Sequence, residues 1–392
     1  MADFIIKNCT LIGETILENQ SVYCKKGKIH KVFGPEDNIP SGIDSIDAQG
    51  LFLAPGFIDL HIHGLEGRCL DNGTAEYKYI AANLPKFGVT GFLPTLAPQK
   101  AGNDSLYLSK LANTDTDGAQ TLGFHLEGPF LSITGALPPE ALGSADKKRV
   151  EKLITAAKPY KTIFSISPEF EGIENLLPIM RQDNSPVFIT HTAANVEQTL
   201  KAIELGACHA THFYDVFYPP AETDPGVRPC GAVEAILASP DVSVDFILDG
   251  EHVDPIAVKM ALNCKGMDKV CLVTDASPGA GACPGIHKFA GCDVEIKYPG
   301  GPARIVSSNS LAGSGLTMDI AVANAVKLLE IDLCQAVKLA SSNPAKVLGL
   351  ENTKGQIKEG FDADLVLLDK NMNVNKTWIK GLCKYDKNKE GN

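Results

Sequence analysis

The sequence predicts an α/β architecture, a (β/α)₈ barrel of the TIM-like type joined to a small sheet domain assembled from both chain termini. Three observations carry this. Eight apolar, strand-like runs alternate with helical stretches through the middle of the chain, whereas both ends hold only short β-type runs. A length of 392 residues suits one large barrel with an accessory domain and exceeds what one small domain needs.

The N-terminal β-type runs are Phe4–Leu11 and Ser21–Val32, with turn signals at Asn8-Cys9 and Lys26-Gly27. The barrel runs are Phe52–Leu60, Thr90–Thr95, Gln120–Leu126, Lys161–Ile166, Val187–His191, Ala207–Phe213, Val242–Ile247 and Lys269–Thr274. Between them Thr74–Phe87, Asn195–Leu205 and Pro255–Cys264 place apolar residues at helical spacing. The Gly- and Pro-rich stretch Gly279–Ile305 reads as a hairpin or loop insertion after the eighth strand, followed by a helix over Leu316–Leu329. From Gly355 a turn leads into the apolar strand ending at Leu368. The expected division is 1–54 and 353–392 for the two parts of the sheet domain and 55–352 for the barrel. No GxGxxG follows the first strand, which argues against a dinucleotide-binding sheet.

Apolar residues at 44% can fill a sizeable core, and a net charge of −11 disfavours nucleic acid and anionic membrane as partners. An anionic substrate would need a local cluster of donors against that field. Eleven cysteines without a CxxC pair, in a chain without an export signal, read as reduced thiols, mostly in the core, and as a cytosolic address. The polar, lysine-rich residues from Lys384 onward read as disordered.

The chemistry collects at predicted strand ends. His61 and His63 follow Gly56-Phe57-Ile58-Asp59-Leu60, and a spacing of two puts both imidazoles on one face. Glu127, His191, His212 and Asp275 close four further strands. In a barrel these ends converge on one mouth. A lone strand-end His is ordinarily a satisfied structural residue; six metal-capable side chains at five such ends are a ligand set. His252 closes the seventh strand at the same mouth, where substrate contact and structural support are both open. His125 supports Glu127 from the same strand face, and His30, His209 and His287 are structural or solvent-exposed.

With these residues in place, the chain resembles the N-acetylglucosamine-6-phosphate deacetylases of the amidohydrolase superfamily over essentially its whole length. The marks are Pro55-Gly56-Phe57-Ile58-Asp59-Leu60-His61-Ile62-His63-Gly64, His125-Leu126-Glu127-Gly128-Pro129-Phe130, Ala210-Thr211-His212-Phe213-Tyr214, Val273-Thr274-Asp275-Ala276, Leu311-Ala312-Gly313-Ser314 with Thr317-Met318, and Ser342-Asn343-Pro344-Ala345. The resemblance implies that the sheet domain is a β-sandwich. It implies that Glu127, His191 and His212 hold one metal ion, His61 and His63 a second in two-metal members, and that Asp275 is the catalytic aspartate at the metal. Zinc suits this imidazole–carboxylate set, with iron, manganese or cobalt also fitting, at one or two ions per subunit. The implied reaction is deacetylation of N-acetylglucosamine 6-phosphate by metal-activated water, with Asp275 as general base and then acid. A homodimer is implied as well.

The departures fall where the sugar phosphate is read. The substrate-binding candidates are His252, Asp215, Val216, Arg228, Leu311 and Ala312. Where family members carry His-Leu-Tyr-Asn-Ala-Met, this chain has His212-Phe213-Tyr214-Asp215-Val216-Phe217, which puts a carboxylate in place of an amide. The run Thr223-Asp224-Pro225-Gly226 lacks the arginine that family members often carry before Glu-Pro-Gly and contribute across a dimer interface, and Arg228 stands nearby as its substitute. Gly-Ala-His-Pro-Pro appears as Gly135-Ala136-Leu137-Pro138-Pro139. Two alternatives follow, an amidohydrolase acting on an unphosphorylated N-acyl sugar or N-acyl amino acid, and a non-catalytic metal-containing scaffold.

Overall fold

In the computed structural model, which describes residues 3–138, 142–221 and 224–389, eight parallel strands form a nearly closed barrel. They are β1 (Phe57–Ile62), β2 (Val89–Leu96), β3 (Phe124–Glu127), β4 (Thr162–Ile166), β5 (Val187–Ile189), β6 (Ala207–Ala210), β7 (Ser243–Ile247) and β8 (Val270–Val273), each paired with the next in chain order. Beyond the strand bodies, the Asp275 N–H donates to the His61 carbonyl at 2.9 Å and the His63 N–H to the Ala276 carbonyl at 3.0 Å, which brings β8 back to β1.

Every residue of β1, β2 and β4 is buried, because one face looks into the barrel and the other onto covering helices. The covering helices start where their caps dictate. Asn195 and Gln198 form a capping box at Val196–Glu204, Asp332 and Gln335 form one at Leu333–Ala340, and Asp254 caps Pro255–Lys265 with proline at its first position. Each such cap contributes about 1 kcal/mol.

The second domain is an eight-stranded mixed sheet built from both chain ends. Its order runs Leu382–Asp386, Val374–Ile379, Leu365–Leu368, Phe52–Pro55, Phe4–Ile12, Ile16–Lys25 and Lys28–Phe33, with Asp44–Asp47 pairing alongside Phe4–Ile12. The period of two is explicit in Leu365–Leu368. Leu365 and Leu367 join Phe4, Ile6, Leu53 and Trp378 in the sheet domain's own core, whereas Val366 and Leu368 face the barrel core.

Several expectations are corrected. The apolar run Phe52–Leu60 is two strands, Phe52–Pro55 in the terminal sheet and β1 in the barrel. The break falls at Gly56, where a Cβ would lie 2.2 Å from Thr90 Cγ2. Asn8-Cys9 is no turn but an irregularity inside the first strand, with Asn8 at φ 53°. Residues 384–386 are not disordered; they belong to the last strand, and Lys384 pairs with Asp117. Nor are the cysteines mostly core. All eleven are free thiols, but Cys230, Cys264, Cys283, Cys292 and Cys383 are exposed. The Gly279–Ile305 insertion forms Gly285–Phe289, Cys292–Ile296 and Pro302–Ile305, joined by Leu311–Ser314 into a four-stranded antiparallel sheet. Hydrogen bonds from Ser314 N–H to Asp275 O and from Ser277 N–H to Ser314 O, both 2.8 Å, fasten it to the end of β8. No helix among the described residues is long and apolar enough to cross a membrane.

Candidate metal centre and substrate cavity

His61 lies within β1 and His63 just past it. Glu127 is the last residue of β3, whereas His191, His212 and Asp275 each stand two residues beyond the end of β5, β6 and β8. All three of these turn the chain through the left-handed region, at φ 49°, 35° and 44°. Non-glycine residues there carry about 1–3 kcal/mol of strain and persist only where their surroundings fix them. Here the fixing contacts are specific. The Ser167 hydroxyl donates to the His191 carbonyl at 2.7 Å, the Asp245 carboxylate accepts the His212 N–H at 2.5 Å, and Asp275 is bonded through its backbone to His61.

These kinks bring the side chains together around Glu127. Its Oε1 lies 2.9 Å from His212 Nε2 and 3.2 Å from His191 Nε2. Its Oε2 lies 3.1 Å from His63 Nε2 and 3.6 Å from His61 Nε2. Asp275 Oδ1 is 3.3 and 3.4 Å from the same two imidazoles, which are themselves 3.1 Å apart. Two triads, His61–His63–Glu127 and Glu127–His191–His212, thus each gather their ligand atoms within 4.8 Å, all of them buried.

The donor set fits a divalent ion. Every imidazole presents Nε2 inward, and His191 secures this by engaging the Ile133 carbonyl through Nδ1 at 2.9 Å. Burial alone would raise the Glu127 carboxyl, but the charge of His61 and contacts from His191, His212 and His61 hold it well below the usual range. It is therefore ionised, as a ligand must be. Mixed imidazole–carboxylate donors suit zinc and its neighbours in the first transition row.

A buried polar network supports the cluster from below. Asp245 accepts from the Thr211 hydroxyl at 3.1 Å and lies 2.8 Å from His209 Nε2; Thr211 in turn approaches His61 Nδ1 at 3.4 Å. Asp59 accepts from the Thr274 hydroxyl at 2.6 Å. His125 meets the Leu60 carbonyl and Ser165 hydroxyl and packs edge-on against His61 at 4.7 Å. Burial, then the charge of His61, holds its imidazole well below its usual range, so it stays neutral. Sequence reasoning missed Asp59 and Asp245. Asp59, two residues before His61 on the same strand face, carried a readable signal.

A cavity of about 590 Å³ opens above the cluster. Of the substrate-binding candidates, Asp215, Val216, His252, Leu311 and Ala312 line it. Arg228 does not. Its side chain is 83% exposed, lines a separate hollow and pairs with Glu234 at 2.6 Å. Asp249 grips His252 Nδ1 at 2.7 Å. Burial pushes Asp215 up to about 7, and its Oδ2 is buried without a hydrogen-bond partner. Val216 sits at φ 57°, a rare conformation for a β-branched residue. The overlying sheet adds Phe289, Ile305, Ser308 and Ser310, which no strand-end argument could supply. Pro139 and Thr223, from the two divergent runs, lie outside the described residues.

Gly135 gives this geometry a direct test. It adopts φ 56°, and a Cβ there would stand 2.9 Å from His191 Cε1. Gly135→Ala is expected to displace the imidazole and weaken metal retention by about 10- to 100-fold, the range for disturbed ligand support. Metal titration would read this, and unchanged affinity would show that the loop does not hold His191.

Barrel and cluster together define a metal-dependent amidohydrolase, and the model of the amidohydrolase family matches residues 52–383. Among the most similar relatives is the N-acetylglucosamine-6-phosphate deacetylase of Lysinibacillus sphaericus, 32% identical over 98% of both chains. The N-acetylgalactosamine-6-phosphate deacetylase of Escherichia coli O157:H7 is 31% identical over 88% of this chain and 90% of its own. The crystal structure of N-acetylglucosamine-6-phosphate deacetylase from Pasteurella multocida superposes with a TM-score of 0.88 at 27% identity, covering 98% of this chain and 100% of that one. The chain belongs to the N-acetylglucosamine-6-phosphate deacetylase family of amidohydrolases.

Proposed function

We propose that the protein removes the acetyl group from an N-acetylated amino sugar, the acetamide lying over the Glu127 cluster and the sugar ring filling the cavity above. One observation carries this reading: Asp275 projects between two buried imidazoles at the base of a cavity of about 590 Å³, which is the scale of a small-molecule site.

Glu127, His191 and His212 would hold one ion, and His61 and His63 with Asp275 a second. A divalent ion held there would lower the pKa of a water to about 7 and would polarise the acetyl carbonyl. Asp275, ionised at neutrality, takes a proton from the attacking water. As the carbon–nitrogen bond breaks it returns that proton to the departing amine, leaving acetate. His252, steadied by Asp249, faces the sugar from the cavity wall.

The relatives' names put N-acetylglucosamine 6-phosphate first among substrates to test, with its galacto epimer and the unphosphorylated sugars beside it. Metal-loaded protein is expected to release acetate from at least one of them. Release from none, with metal still bound, would sink the reading.

A further inference from the structure

Away from the candidate metal ligands at its base, the described part of the cavity wall carries no basic side chain except the His252 imidazole. Among the described residues lining it there is no Lys or Arg; its carboxylates are Glu127, Asp215 and Asp275, accompanied by four imidazoles. His63, His191 and His212 are turned toward Glu127, and His252 is matched by Asp249, so that pair offers no net charge. Two arginines close in sequence to lining residues are engaged elsewhere. Arg228 pairs with Glu234 on the surface, and Arg304 of the overlying sheet reaches Glu251 at 3.1 Å.

Against this stands Asp215. It lines the cavity, and its buried Oδ2 has no partner, an arrangement that is costly until a donor reaches it. A phosphate brings only acceptors and nearly two negative charges at neutral pH. A sugar hydroxyl brings the missing donor. The serines at the rim, Ser308 and Ser310, are likewise neutral.

We infer that the preferred substrate is an unphosphorylated N-acetylhexosamine, held at the end remote from the acetamide by a hydroxyl that donates to Asp215. This rests on the deacetylase reading above and deepens it by fixing the charge of the substrate. A phosphate would enter a described lining that offers it no Lys or Arg, whereas the hydroxyl satisfies the oxygen already buried.

Binding separates this inference from turnover. Asp275→Asn protein, loaded with metal so that hydrolysis is arrested, is titrated calorimetrically with N-acetylglucosamine and with its 6-phosphate. The neutral sugar is expected to bind at least about tenfold tighter, the discrimination worth one misplaced charge. Asp215→Asn in the same background should shrink or invert that ratio, because asparagine loses the charge and gains two donors. Tighter binding of the phosphate, or no binding of either sugar, overturns the inference. So does a phosphate preference abolished by Arg228→Ala, which would assign the phosphate to an arginine from a second copy. A neutral preference unmoved by Asp215→Asn removes Asp215 from the role. Absence of acetate release by the metal-loaded wild type counts against the deacetylase reading instead, and the calorimetry does not depend on it.

Discussion

Replacing Glu127 with Gln is expected to strip metal from the protein and to slow acetate release by at least about 10³-fold, the several kcal/mol that a Lewis-acid ion supplies. The size of this effect follows from position. Glu127 touches both halves of the cluster, Oε1 facing His191 and His212 and Oε2 facing His63 and His61. His63→Ala, by contrast, would disturb only the Oε2 half. Glutamine fills the same volume, so the fold should persist, but it replaces a charged oxygen with an amide that points N–H donors at imidazole nitrogens or at a cation. Elemental analysis of purified protein, with circular dichroism to verify folding, reads the outcome. A folded Gln variant with full metal content and wild-type rate would remove Glu127 from the centre.

Much of this candidate centre was legible because its side chains obey a geometric rule. Strand ends in a parallel barrel converge, so His61, Glu127, His191, His212 and Asp275 could be grouped from apolar runs alone. What could not be read is how those strands end. The left-handed turns at His191, His212 and Asp275 are weakly marked in residue type, since histidine and aspartate are enriched at positive φ but adopt ordinary φ at most positions. Gly56 hid the break between two strands for a related reason. The apolar run continues straight through it, and only the approach of Thr90 shows why a glycine must stand there. The cavity walls were the least legible. Phe289 comes from an antiparallel sheet folded back over the mouth and Ser310 from a loop joining two of its strands, and no periodicity in the barrel strands reports on either. Arg228 lies outside this chain's own cavity, its guanidinium on Glu234, because proximity in sequence does not fix where a loop side chain turns.

Asp275→Asn should lower kcat by about 10²–10⁴-fold, the range for a positioned general base and acid, while leaving KM within a few-fold. The Asn variant should keep the backbone, because the contacts that fix this residue are main-chain: its N–H on the His61 carbonyl and its own carbonyl accepting from Ser314. Metal bound through Glu127, His191 and His212 should remain, so the loss would be of proton transfer and not of the ion. The pH profile gives an independent reading. Burial alone would raise the Asp275 carboxyl, but hydrogen bonding and charge from His61, then the charge of His63, hold it below the usual range. A base works in its ionised form. Wild-type activity is therefore expected to be present above this depressed pKa, to persist through neutrality, and to fall away only as the medium becomes acid enough to protonate the carboxylate. A cation seated beside it would move that limb lower still. In the Asn variant the limb belonging to Asp275 should vanish and leave a low rate that no longer tracks this group. A variant that kept both wild-type kcat and the acid limb would transfer the proton-carrying role to another residue. One titratable candidate at the cavity wall is His252, whose imidazole, despite burial, is raised by its hydrogen bond to Asp249.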